Sequence, residues 1–172
     1  MMLKPVRHQD QRGFSTETYN KRAISKAGID IEFVQDLQTF SKKAGTIRGL
    51  HFQAPPSTQN KLIRVLQGRI FDVAVDIRRS SPTFGQHVAV ELSADKCEQI
   101  FIPEGFAHGL CTLEPNTLVL YKLSNYYAPD RDHGIRWNDP KIGISWPLQE
   151  ASELSARDQQ HPLLEDLPPI FE

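Results

Sequence analysis

Between Gly45 and Arg64 the chain reads GTIRGLHFQAPPSTQNKLIR, which gathers Arg48, His51, Gln53, Lys61 and Arg64 around a Pro55-Pro56 corner. Arginine, histidine and lysine around a glycine turn suit an anionic, oxygen-rich ligand, and histidine is the side chain that exchanges protons near neutral pH. A lone histidine in a strand is more often a satisfied structural residue, so the weight rests on the cluster. Further along, IPEGFAHG sets His108 at a glycine-bracketed bend, and Tyr121-Lys122 lies in an apolar strand. By alternation Tyr121 shares a face with Val119 and Leu123, which taken alone describes a core tyrosine with a satisfied hydroxyl. Asp158 follows Ser155 at capping-box spacing, whose plain role is to begin a helix.

Other chemistries lack their usual marks. His51 is followed two positions later by Gln53, not by a second histidine, and His8, His87, His108, His133 and His161 are isolated in sequence. The close His-x-His pair expected of a metal-binding β-barrel is therefore missing. Neither a GxGxxG nor a GxxxxGK[ST] loop is present for a dinucleotide or nucleotide. What remains is proton transfer by His, Lys, Tyr and Asp, with no cofactor and no metal expected.

The elements that must hold these residues read as short strands. Lys61–Leu66, Arg69–Ile77, His87–Leu92, Gln99–Ile102, Ala107–Leu113 and Thr117–Leu123 alternate between turn signals at Gln67-Gly68, Ser81–Gly85, Ala94–Lys96 and Glu114–Asn116. In RIFDVAVDI, Phe71, Val73, Val75 and Ile77 share one face, while Ile70, Asp72, Ala74 and Asp76 share the other. Such spacing predicts an all-β antiparallel barrel or double-sheet jelly roll. Nearer the N-terminus, Arg12-Gly13 is a turn, Lys21 to Gly28 a short helix ended by Gly28, Ile31 to Asp36 a strand, and Gln38 to Lys43 a polar loop. After Tyr127 the chain becomes loop-rich, with one helix expected over Ser152 to Gln160. Residues 1–172 are expected to form one domain, since no linker, repeat or low-complexity stretch divides them.

Composition narrows the class of partner. Twenty Lys plus Arg oppose 21 Asp plus Glu, so no global field calls for nucleic acid or an anionic membrane. MMLKPVRHQD has no apolar h-region and no later run approaches a membrane span. Cys97 and Cys111 form no CxxC pair and read as reduced core thiols, which points to a cytoplasmic protein.

Several motifs occur in a fixed order: RGLHFQ-PP, KLIRVLQGRIFDVAVDIRRSSPTFG, IPEGFAHG, YK, NYYAP, WNDPKIGISWP and LSARD. Together, from Arg12-Gly13-Phe14 to about Leu164, the chain closely resembles the dTDP-4-dehydrorhamnose 3,5-epimerases of deoxysugar biosynthesis. The resemblance implies a cupin-type jelly roll (a double-stranded β-helix) with short flanking helices, usually a homodimer. It implies action without metal or cofactor on a dTDP-linked 4-keto-6-deoxyhexose. By position His51 resembles the catalytic base, Asp158 its carboxylate partner, Lys61 the group that stabilises charge on the C4 oxygen, and Tyr121 the proton donor. Arg12, Glu17, Gln35, Arg48, His108 and Arg157 fall where the family binds nucleotide, diphosphate or sugar, and Tyr127 where a tyrosine stacks on thymine.

One departure stands out. The family usually reads Gln-Asp-Asn-His-Ser after its first strand, whereas here it is Gln35-Asp36-Leu37-Gln38-Thr39, and leucine cannot replace the amide's hydrogen bonds. Inversion at C3 and C5 is thus weighed against a single-centre epimerase on a related keto-sugar. A metal-dependent cupin oxygenase and a non-catalytic sugar-binding jelly roll are the readings from other classes.

Overall fold

The computed structural model describes residues 1–147 and 151–171. Within them the strands are β1 (Met2–Leu3), β2 (Arg7–Asp10), β3 (Gly13–Thr16), β4 (Gln35–Ser41), β5 (Ile47–Gln53), β6 (Lys61–Gln67), β7 (Arg69–Asp76), β8 (His87–Ser93), β9 (Gln99–Ile102), β10 (Phe106–Thr112), β11 (Thr117–Leu123) and β12 (Asp132–Gly134). Two short helices, α1 (Lys21–Lys26) and α2 (Ala156–Gln159), flank them.

Two five-stranded antiparallel sheets face each other, in the orders β1-β9-β6-β11-β4 and β12-β5-β10-β7-β8. Non-sequential neighbours such as β6-β11 and β5-β10 make this a jelly roll rather than a meander. The apolar layer between the sheets includes Ile63, Val65, Ile70, Leu92, Ile100, Leu110 and Val119. Residues such as Ile63, Ile70 and Leu92 are sealed from solvent, and each such side chain contributes roughly 1.5–3 kcal/mol by burial. A second cluster, around Leu50, Phe52, Val73, Val75, Ile135 and Leu164, lies on the other face of the β5-β10-β7 sheet, where the C-terminal segments cover it. Buried on both faces, β7 therefore carries apolar residues at nearly every position.

The acids of β7 are the exceptions, and each has a local reason. Asp76 accepts from the Arg78 N–H at 3.0 Å and from the hydroxyls of Ser81 and Thr83 at 2.6 Å each, so it ties down the Ser81–Gly85 turn. Asp72 points between the sheets, where it meets His108.

Three expectations need correction. Gln35–Ser41 is one continuous strand, β4, so the strand expected over Ile31 to Asp36 begins later and runs through the supposed loop at Gln38 to Lys43. The helix expected over Ser152 to Gln160 shrinks to the four residues of α2, because the chain before it is extended: Ser152 donates to Gly45, Glu153 accepts from Ile47, and Thr46 bridges Glu153 in parallel. The early helix forms as expected, with Asn20 capping the N–H groups of Arg22 and Ala23 at 3.0 and 3.2 Å.

Candidate active site

The inter-sheet space opens at one end into a cavity of about 680 Å³. Its walls come from both sheets. One wall carries Arg48, His51 and Gln53 of β5 with His108 of β10; the facing wall carries Gln35, Leu37 and Thr39 of β4, Lys61 of β6 and Tyr121 of β11. Tyr127, Asp132, Arg157 and Asp158 close the rim.

Strand register explains why these residues meet. His51 pairs with His108 on one side and with Gly134 on the other, so the two imidazoles project from the same face. On the opposite sheet Tyr121 pairs with Leu37 and with Ile63, which sets Leu37 beside the phenol. The β5-β10 ladder slips at a bulge between His108 and Leu110, where Gly49 and Gly109 face each other. Gly49 has φ +129°, and a Cβ on it would lie 2.5 Å from Gly109 Cα. Only glycine permits that approach.

His51 is the half-exposed member of the histidine pair. Its Nε2 lies 2.8 Å from Asp158 Oδ1, while Asp158 Oδ2 accepts from the Gly49 N–H at 3.2 Å and Ser155 Oγ caps the Asp158 N–H at 3.0 Å. Burial disfavours the Asp158 carboxylate, but the His51 interaction and these other hydrogen bonds outweigh it and hold its pKa at about 2. An ionised Asp158 accepts, so His51 Nε2 carries the hydrogen and Nδ1 presents a lone pair. His51 is thereby equipped to take a proton at Nδ1.

His108 is sealed in. Its Nε2 lies 2.9 Å from Asp72 Oδ2, yet burial outweighs the Asp72 charge and pushes its pKa down, keeping the imidazole neutral. Lys61 donates to the His51 carbonyl at 3.1 Å. Burial lowers its pKa to about 8 against the opposing pull of Asp132 and Asp72. Burial likewise pushes Tyr121 well above its usual value, despite a hydrogen bond with Thr39, so the phenol keeps its proton. The Tyr121 ring packs edge-on to His108 at 5.9 Å.

The rim is held by polar contacts. Gln35 Oε1 accepts from the Tyr127 N–H at 2.9 Å, and Tyr127 donates its hydroxyl to Asp132 at 3.0 Å. Arg157 donates to the same carboxylate at 2.6 Å. Arg48 reaches across to β4, donating to Ser41 Oγ at 3.1 Å and to the Phe40 carbonyl at 3.0 Å.

Nine of the eleven residues singled out in the sequence thus line one cavity. Arg12 and Glu17 do not: Arg12 sits at the tip of the β2-β3 ribbon paired with Asp10, Glu17 follows β3, and both are exposed. Two polar residues of the site escaped the sequence reading, and so did His161, which lies behind the site and does not line the cavity. Asp72 had a visible signal, an acid on an apolar alternating face. Asp132 had none. His161 lies three residues after Asp158, an i,i+3 spacing, and is buried, with no hydrogen-bond partner for its Nε2 among the described residues.

A jelly roll with a histidine–carboxylate pair on one wall and a lysine and a phenol on the other defines an acid–base enzyme for an oxygen-rich substrate. More particularly, the chain belongs to the dTDP-4-dehydrorhamnose 3,5-epimerase family, whose model matches residues 1–166, and it is accordingly an epimerase, of the isomerase class. It is 49% identical over 166 residues to dTDP-4-dehydrorhamnose 3,5-epimerase of Salmonella typhimurium, covering 96% of this chain and 90% of that one. Among solved structures it is similar to that enzyme from Bacillus anthracis with TDP and PPi bound (TM-score 0.92, 50% identity, 94% and 92% of the two chains). It is also similar to dTDP-6-deoxy-D-glucose-3,5-epimerase of Legionella pneumophila in complex with dTDP-4-keto-L-rhamnose (TM-score 0.93, 42% identity, 97% and 88%).

Proposed function

We propose that this chain inverts C5 and C3 of dTDP-4-keto-6-deoxyglucose to give dTDP-4-keto-L-rhamnose, acting as a single-domain, cytoplasmic homodimer. The observation that carries the reading is the opposition of His51–Asp158 on one sheet to Lys61 and Tyr121 on the other across one cavity. The ligands of the solved relatives, TDP in one and dTDP-4-keto-L-rhamnose in the other, support the substrate class.

The chemistry follows from the groups. His51 Nδ1 takes the proton from the carbon beside the C4 ketone, and the C–H electron pair moves to form an enolate with charge on the C4 oxygen. The Lys61 ammonium, in a site shielded from water, stabilises that charge. Asp158 stabilises the imidazolium that His51 becomes. Tyr121, still protonated because burial raises its pKa, returns a proton from the opposite face, which completes inversion. The forked donors of Arg48 and Arg157 suit the diphosphate oxygens, Tyr127 suits the face of thymine, and Gln35 and His108 suit sugar hydroxyls.

Homodimerisation gives Arg12 and Glu17 a place. The β2-β3 ribbon is exposed over nearly its whole length, with the Arg7 guanidinium 3.9 Å from the centre of the half-exposed Phe14 ring. It suits insertion against a second copy, where Arg12 and Glu17 would complete the partner's cavity.

Leu37 favours a second reading, inversion at a single centre, because it puts an apolar group beside Tyr121 within the cavity. Incubation with dTDP-4-keto-6-deoxyglucose in deuterated water, followed by NMR, separates the two, since each inverted carbon gains deuterium. Label at both C3 and C5 is expected. His51→Asn should lower exchange about 100-fold or more, and Tyr121→Phe should exchange hydrogen while forming little inverted product. Label at one carbon alone would replace this reading by the single-centre one, and none at either would refute both.

A further inference from the structure

Next to the proposed base lies a buried histidine that the epimerisation does not use. His161 follows α2 and is 7% exposed, and its Nε2 has no hydrogen-bond partner among the described residues. A buried, unpartnered imidazole nitrogen is costly unless something else occupies it. That nitrogen lies 3.7 Å from Asp158 Oδ1, the oxygen that His51 Nε2 approaches to 2.8 Å. The two imidazole rings stand edge-to-face at 5.6 Å, and the three donor atoms all lie within 4.8 Å of one another. Gly134 makes the room: a Cβ there would fall 2.3 Å from His161 Nε2.

We propose that His51, Asp158 and His161 form a binding site for a divalent transition ion, Zn²⁺ above all, and that the bound ion switches the base off. Two imidazoles and one carboxylate are an established zinc donor set, with a fourth position left open. Donors about 2.0–2.1 Å from a tetrahedral ion stand roughly 3.3–3.4 Å apart, a value bracketed by the 2.8 and 3.7 Å separations here. The two histidine donors lie within 4.8 Å of each other, a gap that rotation of the rings would have to narrow on binding. The cations beside the site are already engaged, Arg157 by Asp132 and Lys61 by the His51 carbonyl.

The switching follows from proton placement. Coordination through Nε2 breaks the hydrogen bond to Asp158 and requires the neutral ring's one N–H hydrogen to pass, through solvent, from Nε2 to Nδ1. Nδ1 is the atom that must accept the substrate's proton, so a metallated His51 is no base. The ion lies behind the imidazole and leaves Arg48 and Tyr127 free, so substrate binding persists while turnover stops. This last step rests on the epimerase reading; the binding site does not.

Calorimetric titration of metal-stripped protein with ZnCl₂, without substrate, tests the site. One equivalent should bind the unaltered protein, and His161→Ala and His161→Phe should each weaken binding at least tenfold. Long-range ¹H–¹⁵N spectra of the unaltered protein should show Zn²⁺ shifting Nε2 of two histidines, a readout that needs no variant. In the deuterium assay Zn²⁺ should lower kcat with little change in KM, and a chelator should restore it. His161→Ala, active without metal, should resist the ion. Unchanged Zn²⁺ affinity in both variants, or spectra in which fewer than two histidines respond, would overturn the site. Binding without loss of turnover would overturn the switch. Failure of the epimerase reading would instead appear as no exchange in the metal-free protein, with the titration unaffected.

Discussion

His51 and His108 occupy paired positions on neighbouring strands, and burial separates their chemistry. His51 has a side chain 35% exposed, and its carboxylate partner is fixed by a backbone N–H and a serine cap, which holds Nε2 and leaves Nδ1 unengaged by Asp158. His108 is 5% exposed beside Asp72 and is held neutral. On the facing wall lies Lys61, whose ammonium is the charge proposed to hold the enolate. Burial lowers its pKa to about 8. A lysine is charged below its pKa, so on the alkaline side kcat/KM should fall about tenfold per pH unit above about pH 8. Lys61→Arg, which keeps its charge to far higher pH, should remove that alkaline limb at the cost of a lower plateau. A profile for Lys61→Arg that still bends at the same pH would assign the limb to another group.

At the scale of the elements, the site depends on two strands passing closer than side chains allow. Gly49 and Gly109 make that contact at the β5-β10 bulge, and the Gly49 N–H also anchors Asp158. Gly49→Ala forces a side chain into the Gly109 backbone from a positive-φ position. It should cost at least about 2 kcal/mol of stability, read as a lowered midpoint in urea melts. A midpoint within error of the unaltered protein would show that the ladder yields there.

The same scale explains what could be read from the sequence. Strands β6 to β11 were legible because each has a face packed against apolar neighbours, and alternation records that. β4 was not: its inward residues Gln35, Leu37 and Thr39 face the cavity and mix polar with apolar, and Asp36, Gln38 and Phe40 face outward, so neither face is uniformly apolar. A functional strand therefore reads as a loop. Asp158 was legible as the residue three after a helix N-cap, Ser155, and, through the family motif, as the partner of His51; Ser155 caps its N–H and its carboxylate meets His51. His161 escaped because nothing in a sequence says that Gly134, far away in the chain, leaves a space for it. Homodimerisation likewise has no signal in the residues themselves and is implied by the family resemblance alone.

For the whole molecule, the proposed dimer makes a countable prediction. If Arg12 serves the partner's cavity, Arg12→Ala and His51→Asn are each nearly inactive, but a mixed dimer holds one cavity with both residues intact. Equal mixing after dissociation should restore about a quarter of the unaltered activity, since half of the dimers are mixed and each carries one working site of two. No recovery above the parents would place Arg12 in its own chain's chemistry or outside it altogether.

The β2-β3 ribbon has a quieter consequence. Two strands alone are marginal in water, and this pair has little of its own chain to lean on. A site finished by such a ribbon from another copy depends on encounter, so its catalytic output scales with more than the number of molecules. Dilution below the assembly constant would silence each molecule while its barrel stayed folded, and the cell's supply of the protein would set a threshold for the reaction rather than a proportional rate.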